Sequence, residues 1–215
     1  PINDSIVDYN SVPDADICMA TWWETREWIE SWPLSKGLKA YFIRHHELHG
    51  GDPARVALTY KMQGIKIVIA NWLKKTMEDQ YGEFNTVLVP NGVDWDQFQC
   101  EPRNKSVTPT VGFLYGRQVW KGAETAFKAI ALLKQQLPDL RVIAFGSKSI
   151  RKEDNCPEFI EFFLCPSQEL IPNLYKQADC WLVPSTTEGF GMPGLEAAAC
   201  YCPIISTRCG GPEDY

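Results

Sequence analysis

The chain has 215 residues, of which 45% are hydrophobic and 22% charged, with a formal net charge of −6. That composition fits a globular protein with one or two buried cores and excludes extensive disorder. Acidic groups outnumber basic ones in residues 1–98 (14 against 9) and in residues 99–215 (13 against 12), so neither half offers the basic face that nucleic acid needs.

In chain order, the first half alternates short β-rich runs, at 17–20, 39–44, 66–70 and 86–89, with helical stretches. Pro90-Asn91-Gly92-Val93-Asp94 marks a tight Asn-Gly turn after the fourth run. Residues 99–109 turn polar and proline-bearing without periodicity, which marks an interdomain linker. The second half resumes with β-rich runs at 110–115, 141–145, 159–164, 180–183 and 203–206. Ala126, Ile130, Leu133 and Leu137 fall at helical spacing and predict a helix over 123–137, stopping before Pro138. Strands alternating with helices in this way predict an α/β fold of parallel sheets with helices on their faces.

The densest chemical signal is Glu188-Gly189-Phe190-Gly191-Met192-Pro193-Gly194-Leu195-Glu196, behind the apolar run 180–183. It predicts a strand, a glycine-rich turn and a helix with Pro193 at its first position, where a missing N–H and a fixed φ cost little. Gly189 and Gly191 let the backbone approach a ligand, and the helix N-terminus favours an anion or sugar oxygens. Glu196 stands beside Ala197, Ala198 and Ala199, where an unpaired carboxylate is expensive, so it calls for donors such as ligand hydroxyls. The plain alternative is a capped helix with a surface glutamate on each side.

This block resembles the E-x7-E signature of the retaining glycosyltransferases of family 4, the group 1 transferases. The resemblance implies that Glu188 acts at the catalytic centre on hydroxyls of a donor sugar, beside Gly189, Phe190, Gly191 and Met192, and that Glu196 holds the ribose of the nucleotide. Gly116-Arg117-Gln118-Val119-Trp120-Lys121-Gly122 resembles the family's G-R-x(n)-K-G segment, which is commonly one residue wider. It implies that Arg117 and Lys121 clamp the donor phosphates, whose departing charge needs cations. By position alone, two cations at a strand-to-helix turn are ordinary solvated charges. Asn91-Gly92-Val93-Asp94 with Phe98 matches the segment that closes the family's N-terminal domain. Arg44-His45-His46-Glu47 stands where a strand ends, the place where ligands gather in open α/β sheets. Relatives have a His or a Gln-Asp pair near this point facing the acceptor, so His45 is the catalytic candidate, with His46 and Glu47 as second choices. A packing or surface histidine is the plain alternative.

The resemblance further implies a GT-B fold of two Rossmann-like domains, both incomplete. Residues 1–98 would be part of the acceptor-side domain, 99–109 the linker, and 110–215 a donor-binding domain cut short after Gly210-Gly211-Pro212-Glu213-Asp214-Tyr215. A fragment or an abbreviated version of such an enzyme is therefore expected. The donor is a nucleotide diphosphate sugar and no cofactor is required. The D-x-D patterns at Asp94-Trp95-Asp96 and Asp14-Ala15-Asp16 are assigned to turns, and no metal is expected. A carbohydrate or lipid-linked acceptor, a place in polysaccharide or glycolipid assembly, and a cytoplasmic location with peripheral contact at the inner face of the membrane complete the expectation. Two readings stay open beside transfer: a module that binds nucleotide sugars without turnover, and a GT-B-related nucleotide-sugar epimerase.

The eight cysteines form no CxxC pair and predict buried free thiols in a reducing cytosol. Trp22, Trp23, Trp28 and Trp32 crowd a segment that also bears Glu24, Glu27 and Glu30. Anionic lipid would repel it, so core packing or contact with a lipid-linked acceptor is expected instead. No apolar run approaches the roughly 20 residues of a membrane span, and the first residues lack a basic-then-apolar signal pattern.

Overall fold

The computed structural model describes residues 7–102, 104 and 106–215. Residues 1–6, 103 and 105, the last two within the expected linker, lie outside it. The chain forms two compact units, one running to Asn91 and including Asp214, the other from Gly92 to Glu213 with Tyr215. The division falls ahead of residues 99–109 because Phe98, with Val93 and Cys100 beside it, packs in the core of the second unit with Tyr175 and Trp181.

In the first unit β1 (Ile17–Ala20), β2 (Leu38–Ile43), β3 (Ile65–Val68) and β4 (Val87–Leu88) pair in sequence order, all parallel. They are joined through α1 (Trp23–Glu30), α2 (Pro53–Lys61) and α3 (Asn71–Tyr81). Sequential right-handed crossovers put all three helices on one face of the sheet. On that face Ala20, Tyr41, Ile43 and Val68 are buried. The other face is apolar and open, with Ile17, Met19, Leu38, Ile65 and Val87 between 42% and 61% exposed.

The second unit has β5 (Thr110–Leu114), β6 (Arg141–Gly146), β7 (Ile160–Leu164), β8 (Cys180–Val183) and β9 (Ile204–Ser206) in the order β7-β6-β5-β8-β9, again all parallel. Both faces are covered, which is why β6 is apolar almost throughout. Val142 and Ala144 meet Phe127 and Ile130 of α5 (Ala123–Gln136), while Ile143 and Phe145 meet α6 (Ile171–Gln177) and α7 (Met192–Ala199). Gly112 of β5 leaves room for the Trp181 ring of β8; a Cβ there would lie 2.1 Å from it.

Observed strands lie within two residues of the sequence expectations at either end, and α5 stops one residue short of the expected bound. Two local differences have clear causes. Gly191, in the left-handed region at φ 81°, caps α7, so Pro193 is the second helical residue rather than the first, still inside the turn that needs no N–H. Asp94 caps the unanticipated α4 (Trp95–Phe98), accepting from the Gln97 N–H at 3.2 Å, and Asp14 pairs with Lys36 at 2.7 Å. Cys200, Cys202 and Cys209 are buried, Cys165 is exposed and the other four are half-buried. Trp23 is buried and donates to the Gly50 carbonyl at 3.2 Å, whereas Trp22, Trp28 and Trp32 are half-buried. Among the described residues no helix is long and apolar enough to cross a membrane.

Candidate functional site

The second sheet reverses its strand order between β5 and β8, whose neighbours β6 and β9 lie on opposite sides. Loops leaving the carboxyl ends of such a pair diverge and leave a crevice between them. The loop after β5 holds Arg117 and Lys121; the loop after β8 holds Ser185 and Glu188. They are tied together by the Thr186 N–H on the Trp120 carbonyl at 2.8 Å. Gly122, at φ 68°, passes so close to the Pro184 carbonyl oxygen that a Cβ would lie 2.0 Å from it. Lys121 is therefore delivered into the second loop.

Its Nζ donates to both oxygens of Glu188, at 2.8 and 3.0 Å, and the Ser185 hydroxyl donates to Glu188 Oε1 at 2.6 Å. The lysine and glutamate side chains are 25% and 12% exposed, and Ser185 is buried. The Glu188 N–H donates to the Cys209 carbonyl at 2.7 Å, fixing the backbone beneath the carboxylate. Leu114, Lys121, Ser185, Glu188 and Pro193 line a recess with a cavity volume of about 10 Å³. Arg117 sits on the same loop as Lys121, but its guanidinium donates to neutral groups, the Ser149 carbonyl at 2.9 and 3.1 Å and the Ser149 hydroxyl at 3.0 Å.

Glu196, in the second turn of α7, is half-buried, and its Oε2 accepts from the Tyr175 hydroxyl of α6 at 2.8 Å. Burial raises this carboxyl above the usual carboxylate range, and the tyrosine hydrogen bond offsets part of the rise. Between the two glutamates, Gly189, Phe190 and Gly191 are buried and Met192 is half-buried. The turn is braced from the C-terminal segment: Tyr215 donates to the Gly191 carbonyl at 2.6 Å, and its ring lies 5.5 Å from that of Phe190.

In the first unit, His45, His46 and Glu47 follow the end of β2. His45 is half-buried, with Nδ1 3.1 Å from the His46 carbonyl oxygen and its ring edge-on to those of His49 and Trp72. His46 Nε2 lies 2.7 Å from the Tyr81 hydroxyl, and its burial, together with charge on His45 and His49, lowers its pKa. Glu47 is fully buried, its Oε2 accepting from the Tyr41 hydroxyl at 2.6 Å and the Trp23 N–H at 2.8 Å. That burial pushes its carboxyl up to about 7. Of these three, Glu47 is committed to holding its own unit together.

The structure thus joins Lys121 directly to Glu188, leaves Arg117 on the same loop with other partners, turns Glu196 toward α6, and carries His45 on the other unit. Sequence patterns missed Ser185, Tyr175, Ser149 and Tyr215, which hold the expected residues in place. Only Tyr175 left a trace, a phenol on the apolar side of a short helix whose hydroxyl needs a partner when buried.

Residues 95–215 match the family model described as Glycosyl transferases group 1. The chain is 30% identical over 175 residues to a D-inositol 3-phosphate glycosyltransferase of Pseudarthrobacter chlorophenolicus, a match covering 70% of this chain and 41% of that protein. The chain thus spans about two fifths of the length of that relative. Among solved structures, sucrose-phosphate synthase from Thermosynechococcus elongatus superposes with a TM-score of 0.74 at 21% identity, over 91% of this chain and 57% of that one. The catalytic domain of starch synthase IV from Arabidopsis thaliana, bound to ADP and acarbose, gives 0.69 at 13% identity, over 94% and 58%. The fold is the GT-B type that the sequence resemblance implies, and with the family model matched over more than half its length the chain belongs to the group 1 glycosyltransferase family.

Proposed function

We propose that the protein transfers a sugar from a nucleotide diphosphate sugar to an acceptor hydroxyl with retention of anomeric configuration. The observation that carries this reading is the Lys121, Ser185 and Glu188 constellation at the switch point of the second sheet, inside the block that ends on Glu196. A recess of about 10 Å³ admits roughly one water. The donor sugar therefore lies over it, with its hydroxyls on Glu188 and on the backbone from Phe190 to Met192. The diphosphate takes Lys121 and Arg117, which stabilise the charge that develops on the leaving group. The ribose lies on Glu196. His45, on the first unit, serves the acceptor side. Binding in this arrangement uses no metal, and a role in polysaccharide or glycolipid assembly at the cytoplasmic face of a membrane fits the class of reaction.

Calorimetry with UDP, GDP, ADP and dTDP, and transfer assays with the corresponding sugars, test the reading. A nucleotide should bind the wild-type chain, and Glu196→Ala should weaken it by about tenfold, the loss of a hydrogen bond to a charged group. The anomeric configuration of any transfer product, read by NMR coupling constants, tests retention. Unchanged affinity in Glu196→Ala would remove the ribose assignment, and an inverted product would remove the retaining mechanism.

A further inference from the structure

Among the described residues, Glu196 is held by one oxygen only. Its Oε2 accepts from the Tyr175 hydroxyl at 2.8 Å, and no hydrogen bond from another described residue is made to Oε1. Tyr175 is itself immobilised: it is fully buried, its ring set edge-on to Trp181 at 4.5 Å and to Phe145 at 5.8 Å, with Phe98 at 6.2 Å. A glutamate on a helix has three rotatable side-chain bonds, and a half-buried one lacking a fixed donor would swing between rotamers or bind a proton. The phenol removes that freedom. Its oxygen is locked by a packed ring, so it presents one donor at one place and leaves the second carboxylate oxygen for a ligand.

We propose that Tyr175 is a positioning residue for nucleotide binding, acting through Glu196 to fix the carboxylate so that its open oxygen meets a ribose hydroxyl. This rests on the ribose role of Glu196 proposed above. The other ionisable groups around the carboxyl are Cys200, which caps the end of α7, and Tyr215 from the C-terminal segment, with Cys202 beside Tyr175; Tyr175 is the one whose hydrogen bond favours the charged form.

Tyr175→Phe keeps the ring and deletes only the hydroxyl. Calorimetry with the tightest of UDP, GDP, ADP and dTDP, and with the ribose-deoxygenated counterpart of that nucleotide, separates the possibilities. Tyr175→Phe should bind the parent nucleotide roughly fivefold to tenfold more weakly than wild type, yet bind the deoxygenated one with wild-type affinity. Removing the hydrogen bond that favours ionisation should also move the acidic limb of the binding profile to higher pH. Equal weakening toward both nucleotides, or unfolding of Tyr175→Phe, would make the hydroxyl a structural group and overturn the inference. Wild-type affinity in Tyr175→Phe beside a weakened Glu196→Ala would overturn it while leaving the ribose reading standing. Unchanged affinity in Glu196→Ala, or no binding of any of the four nucleotides, would remove both.

Discussion

Glu47→Gln should make the protein more stable at alkaline pH and should do so by a calculable amount. The carboxyl is buried, and both hydrogen bonds it accepts from described residues, from the Tyr41 hydroxyl and the Trp23 N–H, arrive at one oxygen. A glutamine oxygen can receive the same two donors without charge. Burial raises the Glu47 pKa from 4.5 to about 7, with the Tyr41 and Trp23 bonds and the Arg44 charge opposing the rise. A folded-state pKa above the unfolded one means that the folded protein binds the extra proton between these values. The stability conferred by protonation is whole below the unfolded value and is lost as pH rises through the folded one. At 1.36 kcal/mol per unit, a rise from 4.5 to about 7 corresponds to about 3 kcal/mol. The stability difference between Glu47→Gln and wild type should therefore climb by about that amount between about pH 4 and pH 8, and level off beyond. Urea unfolding of both proteins across this range reads it. Comparing the two cancels His46, whose lowered pKa acts in the opposite sense, favouring the folded state as pH rises through the ordinary histidine range. Parallel pH dependences in the two proteins would show that Glu47 is ionised inside the fold and would refute the reasoning.

Gly122→Ala should cost about 2–4 kcal/mol, measured by urea unfolding, because its Cβ would lie 2.0 Å from a backbone oxygen and its φ is 68°. Leu38→Lys, at a site 61% exposed on the open face of the first sheet, should change stability by no more than about 0.5 kcal/mol; a loss several times larger would show that this face is covered in solution. Free nucleoside diphosphate should bind Glu188→Gln more tightly and Lys121→Gln more weakly than wild type, by calorimetry.

Much of the fold was legible because parallel strands in this chain announce themselves in two ways. β6 after Arg141 is buried on both faces, β8 is buried on one face and half-buried on the other, both appear as apolar runs, and α5 keeps Ala126, Ile130 and Leu133 at helical spacing. The short α4 was not legible: four residues contain no full period, and its cap, Asp94, belongs equally well to a turn. The boundary between the units was hidden for a related reason, since the burial of Phe98 depends on Tyr175 and Trp181, more than seventy residues away in sequence. At the candidate site, the block from Glu188 to Glu196 stood out through its glycines and spacing. The partners of those carboxylates did not. Ser185 and Tyr175 are common residues whose significance lies in where a loop and a neighbouring helix place a hydroxyl, and no local pattern encodes that.

The resemblance also assigned Arg117 and Lys121 one role, as phosphate clamps, in a segment one residue narrower than the family's usual spacing, and the structure separates them. Arg117 donates to the neutral oxygens of Ser149, so these bonds leave its charge uncancelled, whereas Lys121 is held by both oxygens of the Glu188 side chain. In the proposed arrangement an arriving diphosphate meets a loop whose second cation is already matched, and it competes with Glu188 for Lys121. Neutralising Glu188 removes the competitor and the repulsion together. For a phosphate about 8 Å from the carboxylate, an effective dielectric between about 20 and 40 gives about 1–2 kcal/mol per unit charge, roughly a tenfold change in affinity. Glu188→Gln should therefore tighten the free diphosphate while slowing transfer, since in the proposed arrangement the charge that repels the leaving group is the one that accepts hydrogen bonds from the sugar. Lys121→Gln does the reverse at the phosphate and strands a carboxylate that is 12% exposed, with Ser185 its one remaining side-chain partner among the described residues. Weaker diphosphate binding in both variants would mean that the pair stays closed around the ligand and acts as one unit, and the competition argued here would be wrong.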